Sequence, residues 1–270
     1  MSAAMLARVL HHERALPVVA VALVTALAWA YLLAGAGTME EMDGMLMPMS
    51  TGAWTFSHAL VMLVMWVVMM VAMMLPSALP MLLLYATLAR RNGAARGTGP
   101  APGPPLAVAL FGLGYVVVWS GFSVAAVALQ YLLERAALLS PMMESTSIVL
   151  AGATLVAAGV YQWTPVKSAC LAHCQSPLDF VLANWRSGGM GAFRMGMRHG
   201  AYCVGCCWAL MLLLFVGGVM NLAWIAGLAV YVLVEKLTPP GHWISRATGV
   251  IFIAWGLATL LSPYFALKLA

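Results

Sequence analysis

Long apolar runs are the feature that most constrains how this chain can fold. Of its 270 residues, 64% are hydrophobic and only 8% are charged, and the mean hydropathy is +0.96. Soluble domains carry about 25% charged residues, which hydrate their surface. A bilayer core is crossed by a helix of about 20 apolar residues. We therefore predict an all-α polytopic membrane protein, with residues 1–270 forming a single integral domain.

Seven apolar runs can be placed along the sequence: 16–33, 56–75 (with its helix continuing to about 88), 106–129, 148–163, 203–216, 219–234 and 250–267. Only Gly217 and Gly218 separate the fifth run from the sixth, so these two form a tight hairpin or one interrupted element. The sequence predicts seven spans, with six as the alternative. The first run exceeds the apolar length of about 7–15 residues that is usual in a signal peptide, so we expect it to be retained.

Basic residues cluster in alternate loops of this arrangement. The positive-inside rule assigns Lys- and Arg-rich loops to the cytoplasm. The amino terminus is then cytoplasmic and the protein is a multi-pass component of the inner membrane. The net charge of +5 reflects this topology, so the bilayer is an expected partner and nucleic acid is not. Nearly all basic residues fall on this side: Arg8, Arg14, Arg90, Arg91, Arg96, Lys167, Arg186, Arg194, Arg198, Lys236 and Arg246.

Two hydrophilic segments lie on the predicted cytoplasmic side. Residues 92–105 (NGAARGTGPAPGPP) are rich in Gly and Pro and predict a flexible or extended linker. In the longer segment, 164–199, residues 178–185 (LDFVLANW) predict a short helix along the membrane interface.

The cysteines share one short window with two histidines. Residues three and four apart lie on one helix face, so CLAHC (170–174) and HGAYCVGCCW (199–208) each predict a converging set of side chains, with Met211 next on the second stripe. Pro165 suits the first turn of the first helix. Segment 164–207 is therefore predicted to carry a metal site on the cytoplasmic side. Its candidate ligands are Cys170, His173, Cys174, His199, Cys203, Cys206 and Cys207.

These residue types indicate which metals would bind. Cytosolic thiols stay reduced, which argues against disulfides, and thiolates with imidazoles select Cu(I), zinc or iron–sulfur clusters. Copper is favoured as the cofactor, with zinc or iron as alternatives. The competing interpretation is that the cysteines are small buried apolar residues.

Methionines are unevenly placed among the 21 in the chain. Met62, Met65, Met69 and Met73 step by three or four residues along the second run, with Met70 and Met74 alongside. Adaptable packing would explain such a face, and so would a thioether path for Cu(I). Met69, Met70, Met73, Met74 and Met211 are the candidates for a secondary metal site or path. The loop at 39–49 adds five methionines among three acids, either to capture a soft cation or as a flexible loop.

A few polar residues near the apolar runs are candidates for supporting the site. Ionisable groups at membrane depth are usually paired and functional. Glu235 and Lys236 are expected to pair with each other or with Arg198. Asn221 suits a turn. The supporting set is Gln162, Lys167, Glu235 and Asn221.

Six short motifs occur together in this sequence: AMMLPS (72–77), YQWTPVK (161–167), CLAHC (170–174), HGAYCVGCCW (199–208), Met220-Asn221 and Glu235-Lys236-Leu237. Together they resemble the bacterial family of predicted metal-binding integral membrane proteins called domain of unknown function 2182. The resemblance covers about residues 54–249 and implies a membrane location and metal binding, without a settled reaction.

Three functions fit these patterns. The favoured one is an integral membrane protein that binds, transfers or transports Cu(I), with another membrane subunit or a metal chaperone as partner. The second is a membrane metalloenzyme, or the metal-bearing subunit of a copper-dependent oxidase or monooxygenase, so catalysis stays an open question. The third is an assembly protein stapled by zinc, for which a closed four-ligand site is expected.

Overall fold

Helices make up nearly all of the structure, a computed structural model that describes residues 3–36, 39–42, 45–48, 54–95, 103–140, 143–238 and 242–269. The all-α prediction is confirmed. A small antiparallel hairpin pairs β1 (Met39–Met42) with β2 (Met45–Pro48). The helices are α1 (Ala3–Leu33), α2 (Phe56–Ala95), α3 (Pro104–Arg135), α4 (Ile148–Tyr161), α5 (Pro165–Gln175), α6 (Pro177–Asn184), α7 (Gly189–Leu212), α8 (Leu214–Gly217), α9 (Leu222–Leu237) and α10 (His242–Leu269).

Each of the seven predicted apolar runs coincides with helix in the structure. Five described helices are long and apolar enough to cross a membrane, and α4 with α5, joined at a bend of 64°, would make a sixth. Helix α9 has 16 residues, slightly short for a span of about 17–25. The number of crossings and their orientation stay predictions. In the predicted linker, α2 continues through Ala95, and residues 96–102 lie outside the described residues.

The fifth run begins earlier than predicted. Helix α7 starts at Gly189, whereas the sequence placed this span near Cys203. The reason is that the first turns of α7 are amphipathic. Met195 is buried on one face while Arg194 and Arg198 are exposed on the other. Apolar and charged residues that alternate at helical spacing still form a helix, although the arginines lower the mean hydropathy of the segment.

Two short local elements agree with the sequence. The short helix predicted at 178–185 is α6, although Phe180 and Val181 turn inward and are buried. The glycine pair after α7 makes a tight turn, in which Gly218 has φ +90, a conformation that glycine adopts without steric cost. Trp224 then closes the hairpin by donating from its indole N–H to the Leu213 carbonyl at 2.8 Å.

Helices α2 and α7 form the centre of the bundle. About half of each is buried, against roughly a fifth of the other candidate spans. Helix α3 packs on α7 through small residues that bring the backbones together, as is common where helices pack in membranes. A Cβ at Gly114 would collide with the carbonyl of Phe193, and one at Gly196 would collide with the carbonyl of Phe111.

The α3–α7 contact can be tested with two glycines on one helix. Gly114→Ala should lower the thermal unfolding midpoint of the detergent-solubilised protein, because the new methyl group forces α3 away from α7; overpacking typically costs about 1–3 kcal/mol. Gly112→Ala is the matched control, since nothing lies within 4 Å of its Cβ position, and it should be neutral or stabilising by about 0.5–1 kcal/mol. Equal midpoints for the two variants would contradict the close approach.

Candidate metal centre

The stripe predicted on α7 is buried inside the bundle. Cys203, Cys206 and Cys207 are each 1% exposed or less, and His199 is 3% exposed. The Cys206 and Cys207 thiols donate to the Cys203 carbonyl at 3.1 and 2.9 Å, which folds both side chains back along the helix. Side chains separated by three or four positions therefore meet, as the spacing predicted.

Helix α5 brings the second half of the predicted cluster to α7. Its start is fixed by Thr164, whose hydroxyl accepts from the Lys167 amide at 3.3 Å, and by Pro165 in the first turn. The Cys174 thiol lies within hydrogen-bonding reach of Cys206. Cys170 is half-buried against Gly205, where an added Cβ would lie 2.7 Å from its sulfur. The two cysteine-bearing helices thus pack against each other.

Lys236 is the buried cation of this centre. Its ammonium donates to Cys203 Sγ at 2.8 Å and to Ser77 Oγ at 3.1 Å, and the lysine is 6% exposed. An ammonium has three donors and no acceptor, so the Cys203 sulfur accepts this hydrogen bond. A negative thiolate fills that role best, since a buried charge needs a partner of opposite sign.

Two further helices complete the surroundings of Cys203. From α3, the Tyr115 hydroxyl lies 3.0 Å from Cys203 Sγ and 3.0 Å from the Met74 carbonyl. From α2, the Met74 thioether lies 3.9 Å from Cys207 Sγ. Pro76 cannot donate to the helix behind it, and the Ser77 hydroxyl donates to the Met74 carbonyl at 2.8 Å. Tyr115 of α3 and Lys236 of α9 thus contact the Cys203 sulfur of α7, and α2 contacts both of them through Met74 and Ser77.

The methionine face of α2 points into the bundle. Met62, Met65, Met69, Met70, Met73 and Met74 are each 1% exposed or less, and Met211 of α7 is fully buried. The face therefore places a row of buried methionines along the central helix, which we call the methionine column. The burial of these methionines is compatible both with a packing role and with metal transfer.

A separate ion pair anchors α5 to α9. Lys167 donates to Glu235 Oε2 at 2.9 Å, and both side chains are at most 1% exposed. Tyr231 and Ser245 donate to the other carboxylate oxygen at 2.9 and 2.6 Å. The expectation that Glu235 pairs with Arg198 or Lys236 was wrong. Adjacent residues of a helix point about 100° apart, so Glu235 faces α5 while Lys236 faces the thiols.

Some predicted ligands are not gathered at the thiol centre. His173 is exposed and packs its ring 4.1 Å from that of Tyr202. His199 lies between aromatic rings, with its buried Nδ1 lacking a hydrogen-bond partner among the described residues. Within the same part of the chain, no three His, Cys, Asp or Glu side chains are placed to hold one metal ion together. The seven candidates thus do not form a single site in this arrangement.

The two remaining supporting residues have different environments. Asn221 caps α9 by accepting from the Trp224 amide at 3.2 Å. It lies at the far end of the helix from Lys236, which fits the turn expected there. Gln162 is buried at the end of α4, and neither its amide nitrogen nor its oxygen has a hydrogen-bond partner within the described residues.

Three residues of the centre were not among the predicted ligands or supporting groups: Lys236, Tyr115 and Ser77. Lys236 carried a usable signal, because an ionisable residue at the end of an apolar run is usually paired. The sequence did not show which sulfur it would pair with. Tyr115 gave no signal of its own, since its role depends on how α3 packs on α7.

Comparison with known proteins identifies a family for the chain. A family model described as a copper chaperone (PpoB2) matches residues 63–259, well over half of the chain. The chain belongs to this copper chaperone family. The match supports a copper-related protein. Its description differs from the name of the family that the sequence motifs resemble. Comparison with curated proteins and with solved structures found no match.

The α5–α9 anchor can be tested by breaking it from one side. Glu235→Gln leaves the Lys167 charge buried without a partner, and removing one member of a buried pair costs about 3–5 kcal/mol. The double variant Lys167→Met/Glu235→Gln should recover most of that stability, because the introduced amide oxygen still accepts from Tyr231 and Ser245. Thermal unfolding in detergent measures both. A double variant no more stable than Glu235→Gln would contradict the ion pair.

Proposed function

We propose that this protein is an integral membrane copper chaperone that binds Cu(I) between Cys203 and Cys207, with the Met74 thioether as an additional ligand. The observation that carries the proposal is the buried set of sulfurs around Cys203, enclosed by apolar helices and contacted by one ammonium. Soft sulfur ligands select Cu(I), and the family description independently names copper.

Charge balance favours a monovalent ion at this centre. Two thiolates with Cu(I) carry a net charge of −1, which Lys236 neutralises. Zn²⁺ with the same two thiolates is neutral and would leave the Lys236 charge unbalanced. Burying an uncompensated charge is costly, so the centre is better matched to Cu(I) than to zinc.

The zinc alternative requires more ligands than the described residues bring together. A zinc staple needs four ligands in a closed tetrahedral site, whereas no group of three His, Cys, Asp or Glu donors is assembled among the described residues. Cu(I) is stable with as few as two sulfur ligands. No observation on the described residues favours an oxidase or monooxygenase over copper transfer.

The cysteines of α5 support a route for handing the metal on. Cys174 contacts Cys206 beside the centre, Cys170 is half-buried one turn earlier, and His173 between them is exposed. Exchange from Cys206 to Cys174 and then to Cys170 or His173 would bring Cu(I) to the surface. A copper-accepting protein on the cytoplasmic side is the partner that this route requires.

Cysteine substitutions test the binding site directly. Cys203→Ser/Cys207→Ser should weaken Cu(I) binding by more than about 100-fold, because outer-shell changes alone typically cost 10–100-fold. A competition titration with a Cu(I)-specific chromophoric chelator, on the purified full chain in detergent, measures the affinity. Cys170→Ser is the matched control and should retain tight binding, since its thiol lies outside the Cys203 cluster. Unchanged affinity in the double variant would refute the proposal.

The role of Lys236 is tested separately. Lys236→Met keeps the volume of the side chain and removes its charge, which leaves a buried anionic copper–thiolate complex. Loss of one partner from a buried charge pair costs about 2–5 kcal/mol, so Cu(I) affinity should fall about 30-fold or more. The same titration, with Zn²⁺ binding measured in parallel, checks this. A Cu(I) to Zn²⁺ preference equal to that of wild type would contradict the charge-balance argument.

A further inference from the structure

A second group of sulfur and oxygen atoms, of the kinds that ligate metals, lies at the opposite end of the methionine column. Met62, near the start of α2, is separated from Met74 by twelve residues, or about 18 Å along the helix at 1.5 Å per residue. Beside Met62 stand Gln130 and Glu134 at the end of α3, and Met143 from the following loop. None of these four residues takes part in the thiol centre.

Three potential ligands converge on a single atom in this group. The side-chain nitrogen of Gln130 lies 3.4 Å from Met62 Sδ, 3.4 Å from Met143 Sδ and 2.8 Å from Glu134 Oε1. A primary amide has only two N–H groups, so it cannot satisfy three acceptors fully. The amide thus occupies the middle of a site that has more acceptors than it can use.

The surroundings hold this arrangement in place. The Trp66 indole donates to Gln130 Oε1 at 2.8 Å, and the Trp54 indole donates to Glu134 Oε2 at 2.7 Å. Gln130 is fully buried, and Met62 and Met143 are 1% and 8% exposed. The half-buried Glu134 carboxylate is thereby held through Oε2, and its Oε1 accepts from the same amide nitrogen that the two thioethers surround.

Met143 is held in a strained backbone conformation. Its φ is +56, a region that non-glycine residues seldom adopt and that costs of order 1–3 kcal/mol. The strain is maintained by hydrogen bonds from its amide to the Ser140 carbonyl at 2.8 Å and from the Val219 amide to its own carbonyl at 3.4 Å. Strained residues cluster at ligand sites, and this one delivers a thioether to the group.

We propose that Met62, Met143 and Glu134 form a second, weaker Cu(I) site, in which the metal replaces the Gln130 amide nitrogen. The two thioethers supply soft ligands, and the carboxylate balances the single positive charge. This inference rests on the proposed copper function and extends it. The site receives Cu(I) at the end of the bundle remote from the thiols, and the column through Met65, Met69 and Met73 leads from it to Met74.

The test isolates this site from the thiol centre. In a background with all five cysteines replaced by serine (Cys170, Cys174, Cys203, Cys206 and Cys207), the full chain in detergent is titrated with Cu(I) under reducing conditions, and sulfur ligation is followed by X-ray absorption. We expect weak thioether-bound Cu(I) to remain, and Met62→Leu/Met143→Leu to abolish it. Met190→Leu/Met197→Leu, at exposed positions of α7, is the matched control and should leave it unchanged. Residual binding that survives Met62→Leu/Met143→Leu, or its absence from the background, would overturn the second site.

A variant that is expected to bind Cu(I) more tightly controls for misfolding, because a misfolded protein would lose affinity. Gln130→Met removes the amide that occupies the site and adds a third thioether, so Cu(I) affinity in the cysteine-free background should rise about tenfold, within the range by which neighbouring groups tune metal sites. No increase would count against the second site.

The two proposals can fail separately. If cysteine substitution abolishes binding and Met62→Leu/Met143→Leu has no effect, only the second site is refuted and the thiol centre is retained. Wild-type binding that is indifferent to the cysteines refutes the proposed function itself.

Discussion

The contact between the Lys236 ammonium and the Cys203 sulfur is the interaction on which the centre of the bundle depends. A buried ammonium is tolerated only with a partner, and here that partner sits on a different helix. Because Lys236 also donates to Ser77, and Tyr115 lies against the same sulfur, the pair draws α2, α3, α7 and α9 to one point. The close glycine packing of α3 on α7 makes that convergence possible, since it brings Tyr115 within reach of Cys203.

The neighbouring residue provides the second half of the charge arrangement. Glu235 and Lys236 are consecutive on α9, yet each pairs elsewhere: Glu235 with Lys167 of α5, and Lys236 with the thiols of α7. A helix separates adjacent side chains by about 100°, so one turn of α9 sets the positions of both cysteine-bearing helices. The ion pair keeps α5 against the bundle. Because the Glu235 carboxylate pairs with Lys167, the Lys236 ammonium pairs with the Cys203 sulfur instead.

The sequence could predict whatever depends on local spacing. Apolar runs predicted the helices, Pro165 predicted the start of α5, and the spacing of Cys203 and Cys207 predicted a shared face. It could not predict which helices become neighbours, because that choice depends on contacts between distant residues, such as Gly114 with Phe193. The predicted partner of Glu235 was therefore wrong, and the sequence did not indicate the position of Tyr115 beside Cys203. The start of α7 was misplaced for another reason: its arginines lower the hydropathy without interrupting the helical period.

For the two copper sites proposed above, one charge rule would apply at both ends of the methionine column. At the thiol centre, two thiolates and one ammonium sum to −1; at the Met62 and Met143 group, one carboxylate also gives −1, with the neutral thioethers adding softness but no charge. A monovalent cation neutralises either proposed site, whereas a divalent one leaves a net positive charge, which is costly to bury. Zn²⁺ and Cu²⁺ are therefore disfavoured, and most strongly at the fully buried thiol centre, since Glu134 at the other site is only half-buried. Ligand softness selects among the monovalent ions that remain, because thioethers and thiolates bind Cu(I) and offer little to Na⁺ or K⁺. Selectivity in this bundle then follows from the count of buried charges as much as from the identity of the sulfur ligands.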